Sequence, residues 1–274
     1  MSSQPFWYNG SFQESDQLSI PVDEPGLLYG ATIFTTLRVY GASLDHPLSN
    51  WLGHCRRLRD SAQALQWRSP NWEQIRQGCE RLLGFFPVLR ITVFPDGREW
   101  ITGRSLPADL PLRQQQGVVA WLSDSADFRR SLPEHKTGNY LAPWRALQLA
   151  RDRGAQEAIL TNGKGHWLET STGNLWGWRD GYWWTPPLSA GILPGLVRSQ
   201  LITWLVRQNK TVGSAPWSEE LVAEFEAIAY TNSVVEIVPI HAILRDSTPL
   251  AFDPNHDGLQ ELRDLFQQAL LAES

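Results

Sequence analysis

Residues 157–185 read EAILTNGKGHWLETSTGNLWGWRDGYWWT, and this stretch decides the fold. Aliphatic, aromatic and β-branched residues fill Glu157–Thr161, His166–Glu169, Leu175–Trp178 and Tyr182–Thr185, a composition suited to strands. Asn162-Gly163 and Asp180-Gly181 break the runs, and such dipeptides accept the positive φ of tight hairpin turns. Two hairpins in series predict antiparallel pairing rather than alternating parallel strands and helices. Upstream, Phe6-Trp7-Tyr8 and Ser11-Phe12-Gln13 flank Asn9-Gly10 as another hairpin. Further strands are expected at Ile33–Tyr40, Val88–Phe94, Val118–Ser123, Ala227–Tyr230 and Val234–Ile240. Helical periodicity marks Leu48–Leu65, Asn71–Phe86 (capped by Ser69 or Asn71), Tyr140–Arg153, Leu196–Gln208, Ser218–Phe225 and about Asp257–Leu271. Leu106–Gly117, with its prolines and glutamines, reads as a linker. The expectation is an α+β chain in two lobes: a smaller N-terminal α/β lobe over residues 1–112, and a larger lobe over 113–274, rich in antiparallel strands.

A chain of 274 residues can bury a sizeable core. Its net charge of -5 gives no basis for a nucleic-acid or anionic-membrane partner. No apolar run approaches the ~20 residues that span a bilayer, and Met1-Ser2-Ser3-Gln4-Pro5 lacks the features of a signal peptide. Cys55 and Cys79 fit no metal or redox spacing, so free thiols, no metal and a cytoplasmic location are expected. The 14 tryptophans are expected chiefly in packing.

Three lysines stand against 21 arginines, which makes an unusual lysine easy to find. Lys164 lies in a glycine-bracketed turn and Lys210 at a helix end, where a cation suits the dipole. Lys136, in His135-Lys136-Thr137-Gly138-Asn139-Tyr140, has no such structural reason. A lysine with a chemical task forms a Schiff base or acts as a tuned base. Three polar turns follow it in the chain. Glu169 ends a strand before Thr170-Ser171-Thr172-Gly173-Asn174. Gly191–Arg198 brings backbone N–H groups to a helix start, which suits an anion. Thr231-Asn232-Ser233 forms another turn able to donate to an anion. Each alone is also an ordinary turn; their order and company give them weight.

The ordered series resembles the fold-type-IV pyridoxal-phosphate enzymes, the class IV aminotransferase family. That family comprises branched-chain and D-amino-acid aminotransferases and 4-amino-4-deoxychorismate lyase. The resemblance runs over nearly the whole chain. It includes the Asn9-Gly10 hairpin, Asp23–Arg38, His54-x-x-Arg57-Leu58-x-x-Ser61-Ala62 and Lys136-x-x-Asn139. Later segments are Glu169-x-Ser171-x-x-Asn174, Thr185-Pro186-Pro187, Gly195-Leu196-Val197-Arg198 and Ser233-x-x-Glu236-Ile237-x-Pro239-Ile240. It implies pyridoxal 5'-phosphate as cofactor and Lys136, in the larger lobe, as its Schiff-base lysine and catalytic proton carrier. It implies Glu169 at the pyridine nitrogen, and Arg57, the Leu196 and Val197 amides, Asn232 and Ser233 at the phosphate. Asn174 and Tyr140 fall near the phenolic oxygen. His54 reads as a packing or capping residue. A homodimer with the site near the subunit interface is also implied.

Departures from the family pattern bear on the reaction. Asp23-Glu24-Pro25-Gly26 lacks the arginine usual after the aspartate, and Tyr29-Gly30-Ala31-Thr32 replaces an aromatic-Gly-Asp-Gly segment. Phe34-Thr35-Thr36 stands where the aminotransferases carry an aromatic residue followed by Glu, and the run resembles aminodeoxychorismate lyases. Tyr29, Thr35 and Tyr140 become candidate substrate contacts, although Thr35 and Thr36 cannot share a face. Pro95–Trp100 lacks the Arg-x-His carboxylate trap of D-amino-acid aminotransferases. The expected function is aminodeoxychorismate lyase acting on a small molecule. A branched-chain or D-amino-acid aminotransferase, and a catalytically silent family member, stay open.

Overall fold

The opening Asn9-Gly10 pair has φ values of 46° and 78°, both in the left-handed region, so the two-residue hairpin closes as its composition predicts. Around it the computed structural model describes residues 4–123, 125–245 and 248–271; Met1–Ser3 of the N-terminal reading lie outside them. The first of two compact units contains residues up to Ala108 together with His135–Asn139. Its elements are β1 (Phe6–Tyr8), β2 (Ser11–Gln13), α1 (Pro25–Leu28), β3 (Ile33–Arg38), α2 (Trp51–Ala64), α3 (Trp72–Leu82), β4 (Val88–Val93) and β5 (Glu99–Arg104). The strands form a wholly antiparallel sheet in the order β2-β1-β5-β4-β3, which leaves β3 at an edge. Ile33 and Leu37 of β3, with Leu89, Ile91 and Ile101, pack against Leu58 of α2 and Ile75 and Leu82 of α3. Asn71 caps α3, its side chain accepting from the N–H groups of Glu73 and Gln74 at 3.1 and 3.2 Å.

The second unit comprises Asp109–Glu134 and the chain from Tyr140 onward. It contains α4 (Leu110–Gln116), β6 (Val118–Leu122), α5 (Leu141–Asp152), β7 (Glu157–Thr161), β8 (Trp167–Thr170), β9 (Asn174–Arg179) and β10 (Tyr182–Trp184). There follow α6 (Leu196–Arg207), β11 (Val212–Gly213), α7 (Glu219–Ala223), β12 (Ala227–Asn232), β13 (Glu236–Leu244), β14 (Leu250–Ala251) and α8 (Gly258–Leu271). One sheet runs β11-β10-β9-β12-β13-β6-β7-β8, with β14 also on β13. Most of its pairs are antiparallel, but β13–β6, β6–β7 and β10–β11 are parallel. Ala146 and Ala150 of α5 meet Ala158 and Leu160 of β7, small side chains that let the helix lie close to the sheet. No helix among the described residues is long and apolar enough to cross a membrane.

Three expectations need correction. The supposed linker holds α4: Pro111 falls in its first turn, where a missing N–H costs nothing, and Gly117 at φ 77° ends it. Arg113 Nε also donates to Asp109 Oδ2 at 2.8 Å, one turn away. The turn after β7 is longer than Asn162-Gly163. Asn162 Oδ1 accepts from the Lys164 and His166 amides, and the left-handed residue is Gly165 at φ 74°. The segment carrying Lys136 belongs to the first unit, not to the larger one, because its backbone pairs with β3.

Candidate active site

Within the first unit, residues 136–138 run along the open edge of β3. The Phe34 N–H donates to Lys136 O at 2.8 Å, the Gly138 N–H donates to Thr32 O at 2.6 Å, and Ile33 bridges Thr137. This approach requires glycine at 138, since a Cβ there would stand 2.1 Å from Thr32 Oγ1. Lys136 is thereby fixed by backbone on a sheet edge. Its Nζ lies 4.9 Å from the centre of the Phe34 ring, and the Arg90 guanidinium lies 3.7 Å from the same centre.

Strand alternation separates the two threonines. Ile33, Thr35 and Leu37 face the helices, whereas Phe34, Thr36 and Arg38 face the opposite side. Arg90 lies directly across from Thr36, and Thr92 across from Phe34, so these side chains share a face. Thr35 is 0% exposed. Its Oγ1 accepts from Arg57 Nη2 at 2.5 Å and lies 2.6 Å from His54 Nδ1. Thr35 is thus buried on the helix side with its hydroxyl engaged by Arg57 and His54, and Thr36 holds the other face. Burial, reinforced by the charges of Arg57 and Lys136, holds the His54 imidazole well below its usual pKa. Tyr29 follows α1 as an exposed residue.

Within the second unit, the β8–β9 connection and the segment before α6 meet. Glu169 is 4% exposed. Its Oε2 accepts the Leu193 N–H at 3.1 Å, and its Oε1 lies 3.4 Å from Arg130 Nε. Asn174 Nδ2 donates to Leu193 O at 2.9 Å, so the loop bearing Leu193 is held from both sides. A Cβ on Gly195 would stand 1.9 Å from Asn174 Oδ1, so a side chain at the start of α6 would have to displace the Asn174 carboxamide that holds Leu193. Gly195 is the N-cap residue and supplies no side-chain acceptor. The first-turn amides, including those of Leu196 and Val197, have no acceptor within the helix and suit an anion.

The turn after Glu169 is built on Glu157, which is 2% exposed. Ser171 Oγ and Thr172 Oγ1 donate to its two carboxylate oxygens, and the Ala158 N–H donates to Oε1 at 3.0 Å. Tyr140 donates its hydroxyl to Ser171 O at 2.5 Å. The Asn232 carboxamide closes its own turn, accepting from the Val234 and Val235 amides at 2.9 and 3.0 Å and reaching Thr172 Oγ1 at 3.5 Å. Asn232 thus shapes the Ser233 turn by its side chain, and Ser233 is half-buried at its head.

Three functional candidates escaped the sequence reading: Arg90, Arg130 and Glu157. Arg90 had a signal, as the one charged residue in the otherwise apolar or β-branched run Val88–Val93. Arg130 had none, since its partner lies 39 positions away by sequence number, at Glu169.

Each unit by itself holds donors of the chemistry that pyridoxal phosphate calls for: in the first, the amine of Lys136 and the cation of Arg57; in the second, the buried acid of Glu169 and the backbone N–H groups of the glycine-led start of α6.

Comparison with known proteins gives the family. Residues 32–243 match the family model described as Amino-transferase class IV. The branched-chain-amino-acid aminotransferase of Salmonella typhimurium is 22% identical over 271 residues, covering 86% of this chain and 84% of that protein. The aminodeoxychorismate lyase of Vibrio harveyi is 22% identical over 265 residues, covering 90% and 94%. A hypothetical aminotransferase from Mycobacterium tuberculosis, solved in a PLP-bound form, superposes with a TM-score of 0.80 at 18% identity, covering 98% and 100%. The chain belongs to the class IV aminotransferases, enzymes of the fold-type-IV architecture that depend on pyridoxal 5'-phosphate.

Proposed function

We propose that the chain is a 4-amino-4-deoxychorismate lyase, converting that substrate to 4-aminobenzoate and pyruvate. The observation that carries this reading is the β3–β4 face beside Lys136. Phe34 lies there with Thr36 and Arg90, and neither strand contributes an acid. An aromatic ring flanked by cations and a hydroxyl suits an unsaturated ring bearing carboxylates. The lyase homologue among the relatives supports the same reading.

Pyridoxal phosphate, when bound, supplies an electron sink for the pair left as a proton departs from the substrate's amine-bearing carbon. Lys136 Nζ takes that proton, its backbone held still by β3. The carboxylate of Glu169 favours a protonated ring nitrogen, which strengthens the sink. Arg57, the Leu196 and Val197 amides and the Ser233 turn would hold the phosphate. The ether bond to the enolpyruvyl group then breaks. The departing enol gains a proton to become pyruvate, and the ring, with its nitrogen retained, is left aromatic. Arg90 and Thr36 orient the substrate, and no keto-acid partner is required. We also propose a homodimer, as the family resemblance implies.

Aminodeoxychorismate supplied without any keto acid should yield 4-aminobenzoate and pyruvate in equal amounts. D-Alanine or L-leucine with 2-oxoglutarate should give little or no glutamate. Efficient glutamate formation without 4-aminobenzoate would decide for an aminotransferase, the reading that the branched-chain relatives favour.

A further inference from the structure

Buried Thr35 and His54 and half-buried Arg57 form a hydrogen-bonded chain within the first unit, and one of its directions is fixed by elementary chemistry. A guanidinium only donates, so Thr35 Oγ1 accepts from Arg57 Nη2 across 2.5 Å. The 2.6 Å contact to His54 Nδ1 has two possible directions, set by the ring tautomer: the Thr35 O–H donates to a bare Nδ1, or an Nδ1–H donates to the second lone pair of the hydroxyl. In the first arrangement the ring proton sits on Nε2. Thr35 is 0% and His54 2% exposed, so water does not substitute for either partner. The positive charges of Arg57 and Lys136 also oppose a second proton on the ring.

We propose that Thr35 and His54 are positioning residues for Arg57. His54, neutral with its proton on Nε2, accepts the Thr35 O–H and so orients the hydroxyl, whose lone pair sets the guanidinium in the pose that receives the cofactor phosphate. The hydroxyl aims the cation without cancelling its charge, which a carboxylate at position 35 would do. This proposal rests on Arg57 being a phosphate ligand, a part of the proposed function.

The test uses the full chain freed of cofactor, with binding of pyridoxal phosphate and of pyridoxal followed by tryptophan fluorescence. Thr35→Val should weaken pyridoxal phosphate binding about tenfold, the scale of one hydrogen bond to a charged group. Thr35→Ser should restore it, and pyridoxal, which lacks the phosphate, should bind all the variants alike. His54→Asn, which keeps an acceptor near the Nδ1 position, should bind better than His54→Leu. Independently of any variant's folding, nitrogen-15 NMR of the unmodified protein should show His54 as the neutral Nε2–H tautomer. A protonated ring or an Nδ1–H tautomer overturns the chain. Unchanged phosphate-cofactor affinity in Thr35→Val, or an equal loss for both ligands, overturns the positioning role. Unchanged affinity in Arg57→Ala instead overturns Arg57 as the phosphate ligand, and the positioning proposal with it. The NMR result then still reports whether the hydrogen-bonded chain itself is correct.

Discussion

Replacing Glu157 should damage the second unit in a pH-dependent way. In Glu157→Ala, the Ser171 hydroxyl and the Ala158 N–H lose their shared acceptor at Oε1, and Thr172 loses Oε2. A stranded buried donor costs about 1–3 kcal/mol. Thr172 is half-buried and can turn toward water, so two donors set the loss at about 3 kcal/mol. For a chain of this size that lowers Tm by roughly 6–12 °C. Glu157→Gln keeps the shape and one acceptor and should lose about 1 kcal/mol.

The two states also bind the Glu157 proton differently. Burial raises the Glu157 pKa above 4.5, although the two hydroxyls and the Ala158 amide act against it. The folded chain therefore holds this proton more tightly than the unfolded chain does. The group's contribution is greatest in acid and declines as pH rises from about 4.5 through the folded pKa. Glutamine carries no such proton, so the Gln variant's deficit should shrink as pH rises across that window. Thermal melts of parent and variants between about pH 4 and pH 8 measure this directly. A constant Gln deficit would refute the linkage, and an Ala variant as stable as the parent would refute the network.

Other substitutions probe the rest of the site. Glu169→Gln should keep the cofactor while turnover collapses, since it removes the acid proposed for the ring nitrogen and leaves the proposed phosphate anchors in place; wild-type turnover would return Glu169 to a structural role. Arg90→Gln should lower kcat/KM for aminodeoxychorismate by about 10- to 150-fold, equivalent to one charge-assisted hydrogen bond, with cofactor affinity unchanged; an unaltered kcat/KM would remove Arg90 from substrate binding. Gly195→Ala puts a Cβ 1.9 Å from Asn174 Oδ1, so it should loosen cofactor binding and cost about 1–3 kcal/mol of stability. An unchanged melt and cofactor titration would mean that this turn has room to spare.

Much of this was legible from local chemistry. Asp180 and Gly181 have φ values of 52° and 82°, the geometry their dipeptide announces. Helices α2, α3, α5 and α6 fall inside the stretches marked by periodicity. What escaped depends on partners distant in sequence. Strand β5 was missed because Glu99 and Gly103 dilute its pattern, whereas its place between β1 and β4 is set by pairing with both. The parallel neighbours of β6 cannot be inferred from any hairpin signal, since neither β7 nor β13 is joined to it by a tight turn. Lys136 stood out by composition, yet its membership of the first unit follows from backbone pairing with β3, which carries no motif. Thr35 and Thr36 are chemically alike, and only the register of β3 shows which one faces α2.

The central claim is that Lys136 carries the cofactor. The protein loaded with pyridoxal phosphate should be yellow, and borohydride should abolish the visible absorbance by tying the cofactor covalently to its lysine. Peptide mapping of the reduced protein should then find the adduct on Lys136. An adduct on Lys164 or Lys210 would contradict the account, whatever reaction the enzyme performs.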